Sequence, residues 1–180
     1  KYSFIMMIGK RGQLILKDCE CYDGEDEFPA NKAGFDDINI AIIILAGGVG
    51  KRFNNKISKQ MISYSGVTVL EMNIKNFQQY LKNIPIQIVT NKQDLYKVSQ
   101  LCNKYQLLTP VIGGNGRQKS AYNALLALEE INPKYVLIHD AARPIISSNV
   151  IKEMINYSKK EIFCVAPVLK VSDSIRTISR

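Results

Sequence analysis

An α/β fold, with a mostly parallel central sheet packed between helices, is what this sequence predicts, and three observations predict it. From about residue 38 onward, short apolar runs alternate with longer stretches whose apolar residues recur every three or four positions. The first of those runs, IAIIILA at 40–46, is apolar throughout, as a buried strand of a parallel sheet is. Glycines and charged residues then stand directly after the runs, where the strand ends of such a sheet open onto ligands.

Taken in chain order, the strands fall at 40–46, 86–90, 107–112, 135–139 and 162–167. Between them VLEMNIKNFQQYLKN, DLYKVSQLCNKY, GRQKSAYNALLALEEI and SNVIKEMINYSKK carry the spacing of helices that bury one face. This strand–helix–strand rhythm makes the sheet parallel, because parallel neighbours need a crossover that a helix supplies. The body is expected to be one domain, 39–180. Residues 1–38 are set apart: KYSFIMMIGKRGQLILK reads as a hairpin turning at 9–12, and DCECYDGEDEFPANKAGFDD as an acidic, turn-rich, partly disordered loop without assigned function.

The chain has 180 residues, 46% of them hydrophobic, which suits one core. Its longest apolar run, within 40–46, falls far short of the roughly 20 residues of a membrane-spanning helix, and no signal peptide is recognisable, so a cytoplasmic setting without a membrane partner is expected. Cys19, Cys21, Cys102 and Cys164 lack paired spacing and histidine neighbours, and are read as reduced thiols rather than zinc ligands, Cys164 as a small core hydrophobe.

Charge is divided unevenly: residues 1–38 sum to −3 and the remainder to +11, for a net +8. A basic body points to anionic partners. Nucleic acid is not among those expected, because the basic residues cluster at glycine loops without interleaved aromatics for base stacking.

LAGGVGKRF at 45–53 is the sharpest local signal. A Walker loop fails here, since Leu45 stands where the first glycine belongs and Arg52 where the hydroxyl belongs; a dinucleotide fingerprint fails at Phe53. What remains is a glycine loop, Ala46, Gly47, Gly48 and Gly50, whose backbone N–H groups approach a polyphosphate, with Arg52 and Lys59 to neutralise it. The competing reading is an ordinary tight turn with solvated lysines. At VIGGNGRQKSAYNALLAL, Gly113 and Gly114 end a strand and a helix starts near Arg117 with Ser120 in its first turn, a group suited to a nucleobase edge or ribose, or else an ordinary turn. At VLIHDAARPIIS a strand delivers Asp140 to its end, with Arg143 one turn on. A lone carboxylate beside phosphates is how proteins commonly hold Mg²⁺ or another divalent cation. His139, the single histidine, is read as a hydrogen-bonded packing residue.

LAGGVGKRF with KQ at 59–60, GVTVLE, GGNGRQKSA, HDAARP and VSDSIR, in this order, resemble the 2-C-methyl-D-erythritol 4-phosphate cytidylyltransferase family of the non-mevalonate isoprenoid pathway, from about residue 40 to the end. The resemblance implies a Rossmann-like three-layer nucleotidyltransferase fold, and CTP and a polyol phosphate as substrates. It implies that Ala46, Gly47 and Gly48 line the CTP site, that Arg52 and Lys59 stabilise the transition state, and that Gly113, Gly114, Arg117, Ser120 and Ala141 hold the nucleotide. Asp140 would then hold magnesium, while Arg143 and Ser174 face the acceptor, Ser174 replacing a usual Thr and keeping its hydroxyl. The family's PKQ reads SKQ at Ser58, and Lys170 replaces a common Pro. The resemblance also implies a homodimer formed through a β-arm, which would follow beyond Arg180, so the chain reads as truncated at that end. Transfer to ribitol 5-phosphate, a non-catalytic nucleotide-binding fragment, and a fusion to the pathway's later cyclase stay open as alternatives.

Overall fold

The computed structural model describes residues 5–9, 39–48, 57–159 and 164–167. Its main sheet is built from β1 (Ile5–Gly9), β2 (Ile40–Ala46), β5 (Ile86–Thr90), β6 (Val111–Ile112), β7 (Tyr135–Asp140) and β8 (Cys164–Val165), in the order β6-β5-β2-β7-β1-β8; a hairpin of β3 (Ser63–Tyr64) and β4 (Val67–Thr68) stands apart. The helices are α1 (Val69–Tyr80), α2 (Leu95–Lys104), α3 (Arg117–Ala127) and α4 (Ser148–Lys159). β2 is parallel to both β5 and β7, and β5 to β6. No helix among the described residues is long and apolar enough to cross a membrane.

The near-continuous apolar run of β2 is explained by burial on both faces. Its even residues Ile40, Ile42, Ile44 and Ala46 join Leu70, Ile74 and Phe77 of α1, Val98 and Cys102 of α2, and Ile151, Met154 and Ile155 of α4. Its odd residues Ala41 and Ile43 join Ala124 of α3 with Val136 and Ile138. The period-two alternation of a strand thus feeds two cores, and the three layers follow.

Two differences from the sequence reading have physical causes. The expected strand 107–112 shrinks to Val111–Ile112, because its front half closes α2 instead. Gln106 takes a left-handed φ of 54°, Leu107 N–H donates to the Cys102 carbonyl at 2.8 Å, and Gln106 N–H to Asn103 at 3.3 Å. That is a Schellman closure, with Leu107 packed on the cluster that holds Cys102. Pro110 then removes a ladder donor just before the strand.

The second difference concerns the leader. Ile5–Gly9 is a strand of the main sheet, antiparallel to β7 from Ile5↔His139 to Gly9↔Tyr135 and to β8 at Met7↔Val165 and Ile8↔Cys164. The other limb of the expected hairpin lies outside the described residues, as does the acidic loop.

Candidate functional site

The parallel strands stand in the order β6-β5-β2-β7, so the chain moves one way from β2 and then crosses to its other side. Ligands of such sheets bind beyond the carboxyl ends of the strands where this reversal occurs, between β2 and β7. The register puts Leu45 opposite Asp140, Ala46 opposite Thr90 and Thr90 opposite Ile112. Ala141 N–H donates to the Leu45 carbonyl at 3.0 Å and Gly113 N–H to that of Thr90 at 2.8 Å. Ala46, Gly47, Gly48, Gly113, Gly114, Asp140 and Ala141 therefore share one edge of the sheet. Gly50, Arg52 and Ser174 lie outside the described residues.

At the second glycine loop the need for glycine is steric. A Cβ on Gly113 would lie 2.8 Å from Ser120 Oγ, and one on Gly114 only 2.2 Å from Lys119 Cγ and 2.7 Å from its Cβ. The loop presses on the first turn of α3, and Gly116 at its N-cap takes a φ of 95°, a region open to glycine. Ser120 is buried, not solvated: its hydroxyl lies 2.8 Å from the Gly116 carbonyl and accepts from Gly114 N–H at 3.2 Å. Its hydroxyl shapes the loop backbone.

Asp140 sits between two guanidinium groups, Arg117 Nε at 3.1 Å and Arg143 Nε at 3.9 Å, with its side chain 27% exposed. Its neighbour His139 is wholly buried. The His139 ring meets Phe77 edge-on at 5.4 Å, and its Nε2 lies 2.7 Å from Asn73 Oδ1 and 3.0 Å from the Arg143 carbonyl. Asn73 Nδ2 donates to the Val69 and Ala141 carbonyls, both at 2.8 Å, which turns Oδ1 toward the ring. Both groups facing Nε2 are acceptors, so the proton resides there, and Nδ1 has no partner among the described residues. Burial pushes the imidazole pKa down to about 4. The packing role expected for His139 holds.

Three side chains that shape the site were given no role in the sequence reading, although Gln60 stands in the KQ pair quoted there. Asn73 shares the apolar face of α1 with Leu70, Ile74 and Phe77, and a carboxamide at that spacing was its one visible signal. Asn76, one turn on, donates to the Pro144 carbonyl at 2.6 Å. Gln60 is buried in the 3₁₀ turn Lys59–Met61, and its Nε2 donates to the Ala46 carbonyl at 2.6 Å and the Gly48 carbonyl at 3.3 Å. Lys59 therefore stands next to the residue that grips the first glycine loop. A groove of about 550 Å³ opens separately, between the β3–β4 hairpin at Tyr64 and Ser65 and the segment Pro144, Ile145 and Ile146.

Residues 40–180 match the family described as IspD, 2-C-methyl-D-erythritol 4-phosphate cytidylyltransferase. The chain belongs to the IspD family. It is 40% identical over 147 residues to the bifunctional enzyme IspD/IspF of Wolbachia pipientis wMel, covering 78% of this chain and 36% of that protein. It is 39% identical over 140 residues to the 2-C-methyl-D-erythritol 4-phosphate cytidylyltransferase of Clostridium beijerinckii, covering 76% of this chain and 61% of that protein. Among solved structures, 4-diphosphocytidyl-2C-methyl-D-erythritol synthase from Anaerococcus prevotii superposes with a TM-score of 0.54 at 28% identity, over 68% of this chain and 52% of that one. The chain thus spans between about a third and three-fifths of the length of these IspD relatives. The α/β architecture of the IspD fold and its mostly parallel sheet agree with the sequence reading.

Proposed function

We propose that this chain is the cytidylyltransferase part of an IspD enzyme, joining CTP and 2-C-methyl-D-erythritol 4-phosphate to give 4-diphosphocytidyl-2-C-methyl-D-erythritol and pyrophosphate, with residues 39–180 as its body. The observation that carries this reading is the convergence at one sheet edge of two glycine loops and of a carboxylate flanked by Arg117 and Arg143. Backbone amides and guanidinium groups at strand ends suit a polyphosphate, and neither needs a nucleophile from the protein.

In this reading a phosphate oxygen of the acceptor attacks the α-phosphorus of CTP. A new P–O bond forms, the bond from the α-phosphorus to the bridging oxygen breaks, and pyrophosphate leaves with that electron pair. A phosphate monoester has its second pKa near 6, so the attacking oxygen is already ionised at neutral pH and no general base is required. The commitment of His139 Nε2 to Asn73 and Arg143 fits that expectation. Lys59 and Arg52 neutralise charge building on the α-phosphoryl and leaving oxygens. Ala46, Gly47, Gly48, Gly50 and Ala141 shape the phosphate side of the CTP site. Gly113, Gly114 and Arg117 face the cytidine, with Ser120 setting the loop, and Arg143 and Ser174 face the acceptor.

Asp140 fits a divalent cation: it is a single hard oxygen ligand at the strand end, partly exposed, and its ion-pair partners are half-exposed arginines that polyphosphate oxygens would also attract. Mg²⁺ held there would neutralise phosphate charge. Homodimerisation and a cytoplasmic location belong to the same proposal.

The test is pyrophosphate release from CTP by the chain, with methylerythritol phosphate or ribitol 5-phosphate as acceptor, with and without magnesium. Release that needs the first acceptor and the metal is the expected result. Preference for ribitol 5-phosphate, or no release under any condition, overturns the assignment.

A further inference from the structure

Asp94 caps the N-terminus of α2, yet its side chain accepts no bond from its own helix. An aspartate at that position ordinarily receives the N–H of the second or third helical residue. Here its Oδ2 is turned away and accepts from Asn91 Nδ2 at 2.8 Å, from Gln60 Nε2 at 3.3 Å and from the Ser58 hydroxyl. Asn91 returns the contact by accepting from Asp94 N–H at 2.9 Å. Thus one carboxylate oxygen fastens both residues that flank Lys59. Gln60 then passes the fixation on, because the same amide group holds the Ala46 and Gly48 carbonyls.

We propose that Gln60, tied like Ser58 to Asp94, is a positioning residue that fixes the start of the first glycine loop, Ala46 to Gly48, and the backbone of Lys59 in one mutual geometry. The inference rests on the transferase reading only for its kinetic consequence. A long, flexible lysine delivers its charge to a defined point only if its Cα is fixed, and both of its chain neighbours are tied to Asp94. The Ser58 hydroxyl is a further anchor on the same carboxylate oxygen. Here Ala46 to Gly48, Lys59 and the start of α2 form one braced unit.

The test uses the full chain. Gln60→Met keeps the side chain's length and removes its donors, and Gln60→Glu keeps its shape and sets a carboxylate against the carbonyls and Asp94. Both are expected to lower kcat roughly tenfold to a hundredfold with little change in the KM for the acceptor, as displacement of an aligned group does. In a Lys59→Ala background the same Gln60→Met change should cost clearly less than in the wild type, since only the glycine loop is then left to position. Asp94→Asn, which keeps an acceptor, should retain more activity than Asp94→Ala. Full additivity of Gln60→Met with Lys59→Ala overturns the proposal.

A second readout needs no turnover. The backbone order parameter at Gly48 should fall from about 0.85 toward 0.6 in Gln60→Met, and the Ala46 and Gly48 carbonyl ¹³C resonances should shift. If wild-type chain transfers nothing, the transferase reading fails while this measurement still decides the brace. An unchanged loop in Gln60→Met overturns it.

Discussion

Two loops flank the switch point, and both are held by carboxamide side chains gripping backbone carbonyls, but from different distances. The segment after β7 is bound from beneath by α1: Asn73 takes the Ala141 carbonyl, Asn76 that of Pro144, and His139 that of Arg143. Every one of those anchors is part of the core or borders it. The glycine loop after β2 is held instead by Gln60, a residue of a short 3₁₀ turn that is itself tethered to the start of α2. The first arrangement makes a rigid shelf for Asp140 and Arg143. The second couples the loop to a lysine. Changes under the shelf should therefore appear first as stability, and changes in the brace first as rate.

The largest expected effect is kinetic. Lys59→Ala, and likewise Arg52→Ala, should lower turnover about a hundredfold, near 3 kcal/mol of barrier, with melting temperature little changed. Near-normal turnover in either variant, measured by pyrophosphate release, would sink the roles given to them.

Next comes the shelf. Asn73→Ala leaves the buried Ala141 carbonyl without its side-chain donor and His139 Nε2 with the Arg143 carbonyl alone, and should cost about 3 kcal/mol. That corresponds to a fall in melting temperature of about 6–12 °C. A loss of activity without a loss of stability would erase the contrast between the loops.

The pH dependence sharpens the same contrast. His139 titrates near 6.5 when unfolded and near 4 in the fold, so below pH 6.5 the unfolded chain takes the proton first. Stability should be complete above pH 6.5 and decline as pH falls toward 4, by up to about 3 kcal/mol from this group. Glu71 adds a loss of the same sign, because the Tyr105 hydroxyl and Lys104 hold its pKa down. His139→Gln should flatten the slope between pH 6.5 and 4 in urea titrations; an unaltered slope would remove His139 as its source.

The smallest effect is a control away from both loops. Tyr105→Phe deletes the hydrogen bond to Glu71 that ties α1 to α2, and should cost about 1 kcal/mol with unchanged kinetics. A change in kcat would show that α1 transmits strain to the shelf.

How much of this was readable in the sequence follows from the range of each interaction. Runs such as 40–46 and the three-to-four spacing of 69–83 are local, so β2 and α1 could be read with their faces. The glycines at 113 and 114 were readable as a loop, but not as residues demanded by contact with Lys119 and Ser120. Asp94 reaches back to Gln60 and Asn73 reaches forward to Ala141, across chain separations of 34 and 68 residues, and no periodicity encodes such pairings. Strand 107–112 misread for the opposite reason: its apolar character was real, but Leu107 spends it on closing a helix.

The antiparallel strand Ile5–Gly9 has a practical corollary. It lies along β7 over the full stretch 135–139 and separates that strand from Cys164–Val165. Trimming the acidic leader to ease expression would strip the strand that delivers Asp140 of a whole row of backbone partners, and leave an open sheet border inviting self-association.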